Sequence, residues 1–303
     1  MTFSVTILGS GSAIPIANRH LSAQILNVNE RLFLIDCGEG TQLQLRKYNI
    51  KFQRINNIFI SHLHGDHYFG LICLLNTMHL LGRTNELHLY AFSELKQIID
   101  IQLKASNTKL SYPLIFHSLK CDVSKIIFED DRLSVKTIIL NHGIPDCGFL
   151  FKEKKHERNI KKDVLNEINI PFTEFSKIKN GEDYIDDNGK VYKNAVLTIE
   201  PPKPRSYAYC SDTKYFEPIV EQIKNVDLLY HEATFMEDKK INAEQRFHST
   251  AKQSAEIAKK ANANKLVIGH FSARYKDLNL LLKEAKSIFS NTFLAEDGKK
   301  FDI

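Results

Sequence analysis

Residues 62–67 place the strongest constraint on the fold, because the hexapeptide HLHGDH holds three histidines and one aspartate. An apolar run at residues 58–60 precedes it, Gly65 interrupts it, and a second apolar run follows at residues 68–75. This pattern predicts a strand, a tight loop that carries ligand side chains, and then a helix. Histidine and carboxylate are preferred ligands of zinc and its neighbours among the transition metals, and four such groups are hard to bury together without a compensating positive charge. A chance cluster in a polar loop is the weaker interpretation, since the full motif is far more specific than a histidine pair.

The composition is that of a globular protein with a full hydrophobic core. The chain has 303 residues, of which 43% are hydrophobic and 25% charged. It has no apolar run of about 18 residues, so no transmembrane helix is expected, and its N-terminus is typical of a first strand rather than a signal peptide. Five scattered cysteines without a CxxC pair indicate free thiols in a reducing compartment, and we expect a cytoplasmic protein. The net charge of +5 is compatible with a polyanionic partner but does not require one.

Further ligand-type residues follow predicted strands. The strands are residues 133–140, 206–210, 226–230 and 266–268, and the residues that follow them are His142, Asp212, His231 and His270. Polar groups at strand ends converge at one rim of a layered α/β fold, so we expect these side chains to meet the 62–67 loop.

Three predicted helices have bounds and caps that the structure can test. Residues 42–48 and 93–104 are predicted to be helical, with Thr41 and Ser93 as their N-caps. Residues 69–80 are predicted to form one nearly apolar, interior helix.

Residues 152–193 differ in character from the rest of the chain. Residues 152–162 contain six basic and two acidic side chains, and residues 163–193 contain four basic and seven acidic ones. Apolar side chains are sparse, so we predict one domain over residues 1–303 with residues 152–193 as an inserted, projecting arm rather than a second domain. A solvated loop is the plain interpretation of such charge runs, and an RNA-contacting arm is the sharper one.

Several motifs together resemble the metallo-β-lactamase superfamily and, within it, the short form of the ribonuclease Z family. The matching stretches are residues 8–15, 33–42, 61–67, 201–205 (Pro-x-Lys-x-Arg), 231–235 and 248–250. The resemblance covers most of the chain. It implies an α/β fold, the four-layer αββα sandwich, with the inserted arm outside it.

The resemblance also implies two zinc ions per chain, with other divalent metals as possible substitutes. By motif match, His62, His64 and His142 would bind one ion, Asp66, His67 and His270 would bind the other, and Asp212 would bridge both. A nucleophilic water or hydroxide would lie between the metals, and Asp66 could orient or deprotonate it. His248 would donate a proton to the leaving oxygen while Glu232 holds its ring; alternatively, His248 only begins a helix that Ser249 caps. For His231, a structural hydrogen bond and a substrate contact are equally compatible with the sequence.

The activity implied by the resemblance is removal of the 3′ trailer from precursor tRNA after the discriminator nucleotide, leaving a 3′-OH on the tRNA. Lys203, Arg205, Thr250 and Arg274 would contact the substrate, and residues 152–193 would grip the tRNA through its backbone. The family resemblance further implies a homodimer, and no membrane partner is expected.

Two other functions remain open from the sequence. A small-molecule phosphodiesterase or arylsulfatase-like hydrolase would account for the metal ligands, but not for the basic arm or the Pro-x-Lys-x-Arg loop. A non-catalytic RNA-binding protein of the same fold would be expected to lack one or more of the seven ligands, and here the ligand set is unbroken.

Overall fold

The computed structural model describes residues 2–303, which fall into two compact units. The main unit comprises the chain up to Phe128, Val135–Phe151 and Ser206–Ile303, and the small unit comprises Glu129–Ser134 and Lys152–Arg205. The strands are β1 Phe3–Gly9, β2 Ala23–Val28, β3 Arg31–Ile35, β4 Ile55–Phe59, β5 Leu87–Ala91, β6 Leu114–Ser118, β7 Ile126–Glu129, β8 Leu133–Ile139, β9 Cys147–Glu153, β10 Asn159–Ile160, β11 Tyr184–Ile185, β12 Val191–Tyr192, β13 Thr198–Ile199, β14 Ser206–Cys210, β15 Leu228–Glu232, β16 Lys265–Gly269, β17 Thr292–Leu294 and β18 Lys300–Asp302. The α-helices are α1 Thr41–Lys47, α2 Gly65–Tyr68, α3 Leu71–Leu80, α4 Ser93–Ala105, α5 Lys162–Glu167, α6 Phe175–Lys179, α7 Asn194–Leu197, α8 Ile219–Gln222, α9 Lys240–Gln245, α10 Ala251–Lys260 and α11 Asn279–Lys286.

Two seven-stranded sheets form the frame of the main unit. The first has the order β18-β1-β2-β3-β4-β5-β6, antiparallel from β18 to β3 and parallel from β3 to β6. The second has the order β17-β16-β15-β14-β9-β8-β7, and its strands β14 to β17 are parallel. All five residues of β14 and of β15 are buried, as expected for parallel strands that are covered on both faces.

The inner faces of the two sheets pack through aromatic side chains. The ring of Phe59 on β4 lies 5.4 Å, between centroids, from the rings of Phe149 and Phe151 on β9. Phe33 on β3 also contacts Phe151, at 6.0 Å. These rings are almost fully buried, so this interface forms the centre of the hydrophobic core.

Helices cover the outer faces of both sheets. Leu74 and Leu75 of α3 and Leu95 of α4 belong to the same buried cluster as Ile58 and Leu89 of the first sheet. Helix α10 packs against β15, β16 and α11 on the second sheet. The layers are therefore helix, sheet, sheet, helix, and the predicted αββα class is confirmed.

The predicted N-caps of two helices are each displaced by one residue. Gly40, with a φ of 81°, precedes α1, and the Thr41 hydroxyl donates to the carbonyl of Gly38 at 2.7 Å instead of accepting from a helical N–H. Phe92 precedes α4, and the Ser93 hydroxyl bonds to the neighbouring Glu94 carboxylate. Neither threonine nor serine acts as the cap because each already lies inside the first turn of its helix.

The helix predicted over residues 69–80 is present but begins two residues later, at Leu71, and a separate short helix precedes it. Helix α2 ends at Tyr68 and α3 begins at Leu71. Gly70 lies between the two helices, directly before α3. Its N–H donates to the carbonyl of Cys37 at 2.9 Å. This tertiary hydrogen bond takes the place of a helical hydrogen bond at Gly70, and no local sequence pattern predicts it.

The small unit contains short secondary structure and an apolar cluster of its own. Strand β10 pairs with β13, and β11 pairs with β12. The cluster is formed by Val164, Ile170, Ile178, Tyr184 and Leu197. The small unit includes more of the chain than the predicted arm at residues 152–193, because residues 129–134 and 194–205 also belong to it. Its role as an RNA-gripping arm stays a prediction.

Among the described residues, no helix combines the length and the apolar character that crossing a membrane requires.

Candidate metal centre

The ligand loop after β4 is held in place by the turn that follows β3. The N–H of Cys37 donates to the carbonyl of His67 at 2.7 Å. Gly38 lies so close to the loop that a Cβ at this position would be 2.4 Å from the carbonyl oxygen of Asp66. The two turns therefore pack together only because residue 38 has no side chain.

A first cluster of metal-ligand type contains His62, His64 and His142. The Nδ1 atom of His64 lies 3.2 Å from Nε2 of His62 and 3.1 Å from Nε2 of His142. The Oδ2 atom of Asp212 is 3.5 Å from Nε2 of His62 and 4.0 Å from Nε2 of His142. These four donor atoms converge on one point.

A second cluster contains Asp66, His67 and His270. The Nε2 atoms of His67 and His270 are 3.3 Å apart, and Oδ2 of Asp66 is 3.6 Å and 3.3 Å from them. The Oδ1 atom of Asp212 lies 3.5 Å from Nε2 of His67 and 3.1 Å from Nε2 of His270. Asp212 thus faces one cluster with each of its two carboxylate oxygens.

The spacing of these donors fits metal coordination. Tetrahedral ligands about 2.05 Å from a zinc ion are separated by about 3.3 Å, close to the nitrogen–nitrogen distances in both clusters. Facing imidazole nitrogens at this distance repel one another unless a proton or a cation lies between them. The donor set therefore suits two divalent metal ions that share Asp212.

Each cluster combines side chains from both sheets. His62, His64, Asp66 and His67 follow β4 of the first sheet, whereas His142, Asp212 and His270 follow β8, β14 and β16 of the second. The rule that polar groups at strand ends meet at one rim holds for His142, Asp212 and His270, which lie beside the 62–67 loop, but His231 belongs to neither cluster.

The second nitrogen of most clustered histidines is bound by the protein. His67 Nδ1 donates to Asp36 Oδ2 at 2.7 Å, and His142 Nδ1 donates to the carbonyl of Phe247 at 3.1 Å. His270 Nδ1 donates to the hydroxyl of Thr234 at 2.9 Å. These bonds orient the rings and leave Nε2 as the atom that faces the cluster.

Asp36 and His270 also have a backbone conformation that favours glycine. Their φ angles are 54° and 57°. Such a conformation is unfavourable for residues with a Cβ and persists where the surroundings hold it in place. The hydrogen bonds to His67 and Thr234 provide part of that restraint.

The pKa shifts of the clustered side chains favour the binding of a cation. Burial lowers the pKa of His62 and of His142, which favours the neutral form that binds metal. Burial alone would raise the pKa of Asp212, but the neighbouring His270 and His67 hold it well below its usual range. Burial opposes the charge on His67, yet Asp212, Asp66 and Asp36 raise its pKa well above normal. Without a metal, a proton on His67 partly compensates these carboxylates.

The partly buried His248 and the fully buried Glu232 form a pair beside the clusters. Oε1 of Glu232 accepts from Nδ1 of His248 at 2.9 Å and from the N–H of Thr213 at 2.8 Å. Burial would lower the pKa of His248, but Glu232 outweighs it and raises the pKa to about 9. His248 could also be grouped with Asp212 and His270 as a ligand set. Its Nδ1 is already bound to Glu232, however, so a proton-donor role fits this geometry better.

An open cleft of about 710 Å³ gives access to both clusters. Its walls include His64, Asp66, Asp212, His248, His270 and Arg274. The exposed guanidinium of Arg274 lies 4.9 Å from the centre of the Phe235 ring and donates to the Ser272 hydroxyl at 3.0 Å. Arg246 also lines the cleft and was not singled out from the sequence.

The structure places the other predicted substrate residues differently. The Thr250 hydroxyl is fully buried: it accepts from the N–H of Gln253 and donates to Glu237 at 2.8 Å, so it caps α10 and offers nothing to a substrate. Arg205 forms an ion pair with Glu153 at 2.8 Å within the small unit, and Lys203 is exposed there. Ser249 does not cap α10, because its hydroxyl donates to the carbonyl of Thr213. His231 is buried, and its Nδ1 donates to the carbonyl of Glu232 at 2.8 Å.

Asp36, Thr234 and Ser61 support the clusters and were missed as functional residues. Asp36 and Thr234 lie in turns that the sequence marks as polar strand ends. Their hydrogen bonds to His67 and His270 span 31 and 36 residues of sequence. Only their position directly after a strand could have indicated them.

The chain is similar to several known proteins. The family model for anti-Pycsar protein Apyc1 matches residues 3–139, which include the 62–67 motif but end before His142. Ribonuclease Z of Phocaeicola vulgatus is 48% identical over 99% of this chain and 97% of its own. Ribonuclease Z of Bacteroides fragilis is 48% identical over 98% of this chain and 97% of its own. The crystal structure of human tRNase Z, short form, has 28% identity and a TM-score of 0.73, covering 98% of both chains. A metallo-β-lactamase fold protein of Bacillus subtilis, 18% identical with a TM-score of 0.69 and full coverage of both chains, shares the fold.

The αββα sandwich, with histidines and aspartates clustered at one rim, has the metallo-β-lactamase fold. With relatives 48% identical over nearly its whole length, the chain belongs to the ribonuclease Z family.

Proposed function

We propose that the protein is a metal-dependent endoribonuclease that removes the 3′ trailer from precursor tRNA after the discriminator nucleotide. The observation that carries the proposal is the complete pair of donor clusters with the His248–Glu232 pair beside them, in a chain of the ribonuclease Z family. The products would be a tRNA with a 3′-OH and a trailer with a 5′-phosphate.

Two divalent metals suit the site, and zinc suits its nitrogen-rich ligands. His62, His64 and His142 would hold one ion, Asp66, His67 and His270 the other, and Asp212 both. When bound, the metals would neutralise charge on the phosphate oxygens and make a water nucleophilic near neutral pH.

Proton transfer in this reaction is assigned to the chain's own side chains. Asp66 would orient the attacking water and accept its proton. The water oxygen forms a bond to phosphorus while the bond from phosphorus to the 3′ oxygen of the tRNA breaks. His248 would donate its proton to that oxygen, and Glu232 would keep the ring oriented and stabilise its charged form.

The substrate would be recognised largely through its phosphates. Arg274, which lines the cleft, is the best placed of the predicted contacts. Lys203, Arg205 and the small unit would supply further contacts to the tRNA, and a homodimer in the cytoplasm is part of the same proposal. Thr250 is omitted, because its hydroxyl caps α10.

Incubation of the purified protein with a 3′-extended precursor tRNA tests this function. We expect one cut directly after the discriminator nucleotide, with a 3′-OH on the tRNA. Cleavage of small phosphodiesters with an intact precursor tRNA would instead support a small-molecule phosphodiesterase. Binding of the RNA without a cut would support a non-catalytic RNA-binding protein.

Metal analysis of the same preparation tests the assigned ligands. We expect close to two divalent ions per chain, loss of activity after chelation, and recovery after Zn²⁺ is added back. Asp212→Ala should lose metal and activity together, because Asp212 faces both clusters. Full activity of metal-free protein would contradict the proposal.

A further inference from the structure

Asp146 is a buried carboxylate that the proposed mechanism does not use. Its side chain is 1% exposed. Among the described residues, neither of its carboxylate oxygens has a hydrogen-bond partner. An ionised group in this position costs free energy unless a positive charge lies near it.

The ring of His62 lies close to the carboxylate of Asp146. Oδ1 of Asp146 lies 3.6 Å from Nδ1 of His62, which is too far for a hydrogen bond but leaves the carboxylate facing the Nδ1 side of the ring. Nδ1 of His62 also lies 3.0 Å from the Ser61 hydroxyl oxygen. That hydroxyl donates its own proton to Asp36 at 3.0 Å, so it accepts from His62. Nδ1 of His62 therefore carries the hydrogen, and Nε2 faces the first cluster.

Asp36 and Asp212, two other buried carboxylates near these histidines, have hydrogen-bonding or histidine partners in the protein, whereas Asp146 has no hydrogen-bond partner in the described part of the chain. Asp36 accepts from His67 Nδ1, from the Ser61 N–H and hydroxyl, and from the Tyr209 hydroxyl. Asp212 faces both clusters. A cation bound at Nε2 of His62 would draw electron density from the ring and make its Nδ1–H side more positive, and this is the side that Asp146 faces.

We propose that Asp146 is a positioning residue for the metal ligand His62, and that its carboxylate strengthens metal binding in the first cluster. This inference rests on the proposed function, because it requires that His62 binds a metal. It predicts that Asp146 stabilises the metal-bound protein and not the metal-free one.

The test compares wild type with Asp146→Asn and Asp146→Leu. The asparagine removes the charge with almost no change in shape, and the leucine removes polarity as well. Glu153→Gln is the matched control, because it removes the charge of another buried carboxylate that lies in the small unit. Zn²⁺ affinity is measured by competition with a chromogenic chelator, and the thermal midpoint is measured with and without metal.

We expect about 10-fold weaker Zn²⁺ binding for Asp146→Asn and up to about 100-fold for Asp146→Leu, as for the loss of other groups that support metal ligands. Glu153→Gln should bind Zn²⁺ like wild type. The metal-free midpoint of the two Asp146 variants should equal or exceed that of metal-free wild type, since a buried carboxyl group without a hydrogen-bond partner among residues 2–303 has been removed.

Wild-type affinity in both Asp146 variants would overturn the inference. So would a metal-free midpoint lowered as much as the metal-bound one, because that pattern indicates a purely structural role. Failure of the proposed function is a separate result: wild-type protein would then bind no Zn²⁺ in the same competition or leave precursor tRNA uncut.

Discussion

At the scale of single residues, one hydrogen bond determines what His248 can do. Its Nδ1 donates to Glu232 at 2.9 Å, so Nε2 is the atom left to give a proton to a substrate. Glu232 in turn is held by the N–H of Thr213 and the hydroxyl of Thr234. The ring is therefore oriented by the protein before any substrate arrives.

His248→Ala should lower the cleavage rate of precursor tRNA by about 10²–10⁴, the usual contribution of a positioned proton donor. The metal content should not change, because His248 is not assigned as a ligand. Hydrolysis of bis(4-nitrophenyl) phosphate should fall by less than about 10-fold, since nitrophenolate leaves without being protonated. Equal losses on the two substrates would show that His248 does not act on the leaving group.

The ion pair between Glu153 and Arg205 should make stability depend on pH. Burial alone would raise the pKa of Glu153, but hydrogen bonds from Arg205 outweigh it and lower the pKa below its usual value. A depressed carboxyl pKa adds stability above the unfolded pKa of about 4.3, and that stability is lost as the pH falls through the folded pKa.

Glu153→Gln should therefore lower the free energy of unfolding by about 1–3 kcal/mol at pH 7, the typical effect of losing hydrogen bonds to a charged group. The difference from wild type should shrink as the pH falls below 4. Denaturant unfolding at a series of pH values measures it. A difference that stays constant down to pH 3 would contradict the role of the charge.

At the scale of elements, Thr250 was predicted to contact the substrate, but it is the N-cap of α10. Thr250 and Gln253 form a capping box in which each side chain binds the backbone N–H of the other residue. The helix then packs on β15, which ends at Glu232, and on β16, which precedes His270. Thr250 thus helps to place the site without touching a substrate.

Thr250→Ala should lower the free energy of unfolding by about 1 kcal/mol, the usual effect of losing a cap. Thr250→Ser keeps the hydroxyl and should stay close to wild type. The KM for precursor tRNA should change by less than about threefold in both variants. A KM raised 10-fold in the alanine variant at unchanged stability would instead favour a substrate contact.

The part of the site that is encoded locally could be predicted from the sequence, and the part that depends on packing could not. The spacing of His62, His64, Asp66 and His67 is visible in six residues, and the rule for strand ends brings in His142, Asp212 and His270. Asp36 and Thr234 hold the ligands through long-range contacts whose distances depend on strand register and side-chain rotamer, and the proposed role of Asp146 depends on the same kind of contact. The break between α2 and α3 is likewise caused by a hydrogen bond to Cys37, 33 positions earlier.

At the scale of the whole molecule, the small unit and the metal centre should be separable by experiment. Replacing residues 152–193 with a short Gly/Ser linker should abolish cleavage of precursor tRNA and spare hydrolysis of a small chromogenic phosphodiester. The metal ligands lie outside that range, so metal content should be preserved. Because residues 129–134 and 194–205 belong to the same compact unit, the thermal midpoint of the variant must be measured as well. Equal loss on both substrates in a folded variant would count against an RNA-binding role.

Because the ligands come from both sheets, bound metals would stabilise the fold in addition to their role in the reaction. Each cation would cross-link the two halves of the sandwich at the rim where the strands end, much as a disulfide joins distant segments of a secreted protein. Ions that bind the native state and not the unfolded chain shift the folding equilibrium according to their free concentration. The folded fraction of the protein would then depend on metal supply, so a cell short of metal would lose folded protein as well as activity.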